Sequence, residues 1–285
     1  MTSITTEPFV YSGFQNGLIY ELNAYGRPAS ANLNAYTGLE VYGAKLYNLT
    51  LPATRKIPHI GNDRLLKTQQ FAPIEVASGE ISVGAEDLEL IAALSGSTIL
   101  EIAGIQMLPH LSDLQGSEPN VGMILFQAAL AESGPQRYHF HMITSTKAVP
   151  RLAGFGQEPI DLVYDIAPDP VDVYLWGADM APLDDPSDPF SGVSATGALS
   201  AGVWSGFAAG RPAIASFIAD GAETAFLFPE NKQANDASNI AVWTATGTTV
   251  TLKTGGAVDY TGALTGVTFG VAPLIGHEVI VLYQY

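Results

Sequence analysis

Two histidines two residues apart, His139 and His141, flank Phe140 in the run Arg137 to Lys147. On a strand, side chains at i and i+2 point the same way, so the pair could share a metal ion. A cupin-type site also wants a glutamate shortly after, but the chain continues Met142-Ile143-Thr144-Ser145-Thr146-Lys147 with no carboxylate. The pair therefore reads as two imidazoles on the polar face of a strand. Asp184, Asp185 and Asp188 lack the spacing and central glycine of a calcium loop and read as a solvated linker. In Gly202-Val203-Trp204-Ser205-Gly206 the serine falls one position late for a nucleophile elbow. No glycine-rich phosphate loop ending in Lys-Ser or Lys-Thr occurs. The sequence thus predicts no catalytic residue, no cofactor and no metal, and the chain is read as a non-enzyme.

The elements around these residues are strands on either side of one short helix. Arg64 to Phe71 and Ile74 to Val83 are extended runs, and the apolar parity flips between Ile74/Val76 and Ile81/Val83. One added residue near Ser78-Gly79, a β-bulge, would reconcile the two registers. The helix follows at Glu86 to Leu94. Leu88, Ile91 and Ala92 mark its expected buried face, carboxylates occupy its first turn, and Gly96 is placed to stop it. Val121 to Leu130 is unbroken apolar, the mark of a strand covered on both faces. Arg137 to Lys147 alternates, with Tyr138, Phe140 and Met142 on one face and Arg137, His139, His141 and Lys147 on the other. Leu39 to Leu51, Thr98 to Met107, Glu158 to Ala167 and Val171 to Trp176 are further strands.

Ala53 to Arg64 reads as a loop that gathers Arg55, Lys56, His59 and Arg64 in a chain with only 12 basic residues against 28 acidic ones. It is the place to meet an acidic surface on another subunit, the bland alternative being a solvated loop. The formal net charge is −16, and neither half carries a basic excess. That disfavours a tight grip on nucleic acid, which needs a Lys/Arg patch. A surface that nucleic acid slides past would gain from acidic repulsion. Charged residues make up 14% and hydrophobic ones 47% of 285 residues. So apolar a chain is expected to hide surface in partners. Without cysteine, disulfides and thiolate metal sites are excluded. No apolar run approaches a membrane span and no signal peptide is evident, so a soluble, unprocessed, cytoplasmically made protein is expected.

The composition divides the chain into an N-terminal arm over 1–36, a β-domain with one helix over 37–177, a linker over 178–192 and a small Ala/Gly/Thr-rich β-domain over 193–285. In the arm, Leu22-Asn23-Ala24-Tyr25 recurs as Leu33-Asn34-Ala35-Tyr36, too little for a repeat architecture. The class is mainly β: a β-sandwich or partly closed barrel with one packed helix, then an immunoglobulin-like sandwich.

The order of elements resembles the major tail (tail tube) proteins of long-tailed bacteriophages. The resemblance is carried by Ile57-Pro58-His59-Ile60-Gly61-Asn62-Asp63-Arg64, by Ala77-Ser78-Gly79-Glu80-Ile81-Ser82-Val83 leading into the helix, and by the strands Val121 to Leu130 and Ile160 to Ile166. It covers residues 37 to 177, while the C-terminal piece is similar to accessory immunoglobulin-like domains outside such tubes. The resemblance implies homo-oligomeric rings, usually hexameric, whose sheets join into a barrel and which stack into the virion's tail tube. Its partners would be other copies of the chain and other tail proteins (tape measure, terminator, tail tip or baseplate), with DNA passing through in transit and no membrane. On that reading Arg55, Lys56, His59, Asp63 and Arg64 are candidate ring-to-ring contacts, and Glu75, Glu80, Asp161 and Asp165 are candidate lumen-facing acids. The competing class is a carbohydrate- or cell-surface-binding β-protein with Trp204 and Trp243 as a stacking platform; a third is a β-sandwich hydrolase using His139 or His141.

Overall fold

The computed structural model describes residues 9–28, 30–41, 44–50, 55–61, 64–71, 78–83, 88–107, 119–131, 137–151, 162–168, 203–247, 249–253, 255–256 and 259–285. The chain is mainly β, with one α-helix and several antiparallel sheets among these residues. Its centre is β9 (Val121–Ala131), held between β1 (Phe9–Glu21) and β10 (Arg137–Arg151). Every residue from Val121 to Phe126 is buried, because each face of this strand has its own cover. Met123 and Leu125 join one core with Ile19 and Ile143. Ile124 and Phe126 join another with Leu18 and Tyr20.

The main sheet runs β2-β1-β9-β10-β11-β6-β3, with β2 at Leu39–Val41, β3 at Ala44–Thr50, β6 at Ser78–Val83 and β11 at Leu162–Pro168. The single strand predicted over Leu39 to Leu51 is thus two strands at opposite ends of the sheet, although only two residues separate them in sequence. That short connection draws the two ends together, and Val41 shares a core with Val83 and Ile166. The predicted bulge near Ser78-Gly79 is not seen in the β6 pairings; on β10, by contrast, the register against β9 shifts between Ile143 and Thr146. The extra residue there reverses the parity, so Ile143 and Ala148 reach the same core. Lys147 consequently leaves the His139/His141 face to which simple alternation assigned it.

Helix α1 (Leu88–Ser95) lies on the core that holds Ile143 and Tyr164. It buries Leu90, Ala93 and Leu94 and leaves the predicted face of Leu88, Ile91 and Ala92 half-buried. The helix is apolar nearly all round, so periodicity alone could not choose between the two stripes. Gly96 ends it as predicted: its φ is 68°, and the Ser97 N–H donates to Ala92 O at 3.0 Å, a Schellman-type closure. The run Thr98 to Met107 is a hairpin rather than one strand, β7 (Leu100–Ile102) and β8 (Ile105–Met107), turning at Ala103 and Gly104 with φ 54° and 78°.

Of residues 1–36, expected as an arm, Phe9–Glu21 form β1 beside the central strand, and 22–28 and 30–36 run on as a strap across the C-terminal unit. That unit packs a four-stranded sheet against a three-stranded one. The first contains β13 (Pro212–Ile218), β19 (Glu278–Gln284), β15 (Ala241–Thr246) and β16 (Thr249–Lys253); the second contains β14 (Ala225–Leu227), β18 (Gly266–Phe269) and β17 (Tyr260–Ala263). β12 (Val203–Ala208) belongs instead to the main sheet, paired with β10, and the predicted linker over 178–192 lies outside the described residues. The two units share one core, in which Leu18, Tyr20, Ile124 and Phe126 meet Ile214 and Ile280.

Polar ties fix the strap. The Arg27 guanidinium, 1% exposed, donates from Nε to Glu278 Oε2 at 2.6 Å and from Nη2 to Glu278 Oε1 at 2.9 Å. Asn23 Nδ2 adds a bond to the same carboxylate at 3.1 Å. Tyr36 and Ser216 exchange backbone hydrogen bonds at 2.9 Å, and Lys232 Nζ lies 3.0 Å from Glu40 Oε1. The Ile214 N–H donates to the Tyr20 hydroxyl at 2.9 Å, and burial pushes that phenol's pKa well up. Removing one partner of a buried, doubly bonded ion pair leaves an uncompensated charge, at a cost of about 3–5 kcal/mol. Arg27→Ala is therefore expected to lower stability by that amount, and Arg27→Met combined with Glu278→Leu to recover most of it. Urea unfolding followed by tryptophan fluorescence measures both; a loss below about 1 kcal/mol in the single variant would show that the clamp does not hold the units together.

Candidate functional site

The cationic segment read as a loop is a strand. β4 (Arg55–Gly61) pairs antiparallel with β5 (Arg64–Phe71) in a two-stranded sheet of its own, separate from the main one. The register sets Arg55 opposite Phe71, Lys56 opposite Gln70, His59 opposite Lys67 and Gly61 opposite Arg64. Arg55, Lys56, His59 and Arg64 therefore lie on one hairpin, together with Lys67; Asp63 lies outside the described residues. Alternation failed here because Pro58 and the charged residues mask the strand pattern.

Of the four acidic candidates, Glu80 and Asp165 stand directly opposite one another across the β6–β11 pair. Glu75 and Asp161 lie outside the described residues. Ile81 and Tyr164 turn into the core, so Glu80 and Asp165, one residue away on each strand, take the opposite face, where both are half-buried. Like charges in direct register cost stability unless something offsets them. Which carboxylates meet could not be read locally, because the register of β6 against β11 joins residues some 80 positions apart.

His139 and His141 do share a face, with ring centroids 4.7 Å apart, and His139 stacks on Phe207 at 4.9 Å. That face is the one carrying Ile143 into the core, so the imidazoles are not on a freely solvated surface. Burial lowers both pKa values, and for His141, with the neighbouring His139 as a second cause, to about 4. Among the described residues no group of three or more metal-ligating side chains forms, and no helix is long and apolar enough to cross a membrane. Trp243, half of the suggested stacking platform, is buried in the C-terminal unit. A cleft of about 360 Å³ lies where the two units meet, walled by Phe140, Met142, Phe207, Ile240 and Leu282.

Sequence reasoning missed three features: the Arg27–Glu278 clamp, the exposed apolar hairpin β7–β8, and an exposed aliphatic tip at Val271, Leu274 and Ile275. For the hairpin a signal existed, since Leu100, Ile102, Ile105 and Met107 alternate symmetrically about Ala103-Gly104. For the clamp there was none, as its partners are 251 residues apart. In comparisons with known proteins, no family model matches the chain and no curated protein is significantly similar to it.

The histidine pair carries a pH dependence. His141 stays neutral in the folded chain down to about pH 4, whereas in the unfolded chain it takes up a proton near its ordinary value of 6.5. Between these values the unfolded state binds more protons, so stability falls as pH drops from 6.5 toward 4. His141→Gln is expected to flatten that part of the curve; thermal melts across this range check it, and an unchanged slope would assign the acid sensitivity to other groups.

Proposed function

We propose that the chain is a structural virion protein that self-assembles into stacked rings, the tail tube through which a long-tailed phage passes DNA to its host. The observation that carries this reading is the arrangement around α1. β6 precedes the helix, the helix packs on the sheet that also holds β9, β10 and β11, and the cationic β4–β5 hairpin stands in a sheet of its own. This is the order of elements on which the resemblance rests.

The charge distribution supports the same reading. With −16 per copy, a ring would carry a large negative charge, and a duplex in transit would be repelled from its walls rather than held. Glu80 and Asp165, in register on one polar face, are the lumenal candidates among the described residues. The cationic hairpin would then make the ring-to-ring contact, where Arg55, Lys56, His59 and Arg64 meet acidic surface of the next ring. Sheet edges at β2 and β3 would be covered by neighbouring copies. The C-terminal unit, four strands against three, is read as an immunoglobulin-like domain, and the subunit would be made in the host cytoplasm before joining the virion.

Reversing the hairpin's charge tests the contact. Arg55→Glu with Arg64→Glu is expected to leave the circular dichroism spectrum and melting temperature unchanged while abolishing tube growth in negative-stain micrographs over a concentration series. Tubes of normal length from the double variant would remove the hairpin from the ring-to-ring contact. Uniform monomers from the parent protein at every concentration, with or without purified tail-tip complex as initiator, would remove the tube assignment itself.

A further inference from the structure

We propose that His139 and His141 chelate an imidazole-preferring divalent transition ion, Zn²⁺ or its neighbours Ni²⁺ and Cu²⁺, on the face of the main sheet that leads into the α1 core. In sequence the pair lacks a following carboxylate; the fold adds features of its own that suit the two rings to a metal.

The spacing fits one shared ion. The ring centroids are 4.7 Å apart and the planes are inclined at 66°. A ligating imidazole nitrogen lies about 2.0–2.1 Å from the metal, which puts the ring centre about 3.2 Å away, so centroids at this spacing subtend roughly 95° at a common ion. That angle falls between the square-planar and tetrahedral values, about 90° and 109°, that Cu²⁺ and Zn²⁺ adopt. One ring is also held in place. Phe207 stands opposite His139 in the β10–β12 register and stacks on it at 4.9 Å with 26° between the planes. Phe207 is 51% exposed and belongs to neither core, so its contact with the imidazole is not a by-product of core packing. A ligand whose orientation is fixed by a neighbour loses less freedom when the ion binds.

The surroundings admit a cation. On β9, Gln127 is directly opposite His139, and opposed residues share a face, so an amide oxygen joins the two imidazoles. The register shift between Ile143 and Thr146 takes Lys147 off this face, and Arg137, the cation left on it, is exposed at the start of the strand. Burial lowers the pKa of both histidines, which keeps them in the neutral, ligating form at physiological pH. A net charge of −16 raises the concentration of divalent cations around the whole chain. Past His141 the face closes over Leu125 and Ile143 in the core, so the ion is reached from the His139 end. Two imidazoles and one amide leave a coordination position to water. The site is thus of the open kind, which loads and unloads, rather than a closed structural site with four protein ligands.

Calorimetric titration of the full-length, chelator-stripped protein with ZnCl₂ tests the assignment. One Zn²⁺ per chain is expected, weakened about tenfold or more in His139→Gln and in His141→Gln, and unchanged in His277→Gln, which alters a histidine of the C-terminal unit. Excess Mg²⁺, an oxygen-preferring ion, is expected not to compete. Zn²⁺ displaced by Mg²⁺, or bound equally well by both histidine variants, would assign it to surface carboxylates and overturn the site, as would no binding by the parent chain. Loaded with one equivalent of Cu²⁺, the parent chain is expected to show electron paramagnetic resonance splitting from two imidazole nitrogens. That spectrum needs no variant to fold, and a signal without nitrogen splitting would overturn the chelate by itself.

Discussion

One apolar strand through the middle of a sheet must be covered on both faces, and most of this architecture answers that constraint. Val121 to Phe126 presents buried side chains alternately to two cores. On one side the sheet curls upon itself and α1 lies against it. On the other side, among the described residues, the C-terminal unit supplies the cover, with Tyr20, Phe126, Ile214 and Ile280 in a shared core. Each such side chain contributes about 1.5–3 kcal/mol by leaving water. The C-terminal unit is therefore part of the main body's stability and not a passenger.

Apolar docking supplies energy but little orientation, and the strap supplies the orientation. Arg27, Tyr36 and Glu40 precede the main sheet's far end in sequence, yet each is tied to the C-terminal unit by a buried or half-buried polar contact. A buried ion pair recovers little more than its own desolvation, so its value here lies in admitting one register of strap on sandwich. Any slip leaves Glu278 buried and unpaired. β1 then passes from the shared core into the strap without a break, which couples the fold of one unit to the seating of the other.

Much of the main sheet was legible in the sequence. The apolar run of β9, the alternation of Tyr138, Phe140 and Met142, the inward Tyr164 and Ile166, and the stop at Gly96 all follow from period and turn chemistry acting locally. β1 was not legible, since Ser12, Gly13, Gln15, Asn16 and Gly17 give it poor strand propensity and its place comes from pairing with β9 and β2. The helix face was ambiguous because residues on both stripes are apolar, and tertiary packing chose Leu90 and Leu94. Of the candidate site, the cationic residues were recognisable as a cluster but not as a hairpin. The facing of Glu80 and Asp165 depended on a long-range register that no local pattern contains.

In the proposed assembly, the acidity of the chain and its exposed aliphatic patches would answer opposite demands. At physiological ionic strength charge acts over about 8 Å, so copies at −16 repel one another only when their surfaces nearly touch. Repulsion of that range disfavours random contacts and spares patches that carry no acid at their centre. The apolar face of β7–β8 is such a patch, with its single carboxylate, Glu101, set on the reverse by the pleat. A low charged fraction combined with a large net charge therefore does not weaken association in general. In an assembly of copies it would restrict association to the few places where the acids have been kept out, and screening by salt should strengthen an aliphatic contact of this kind while weakening the proposed one at Arg55 and Arg64.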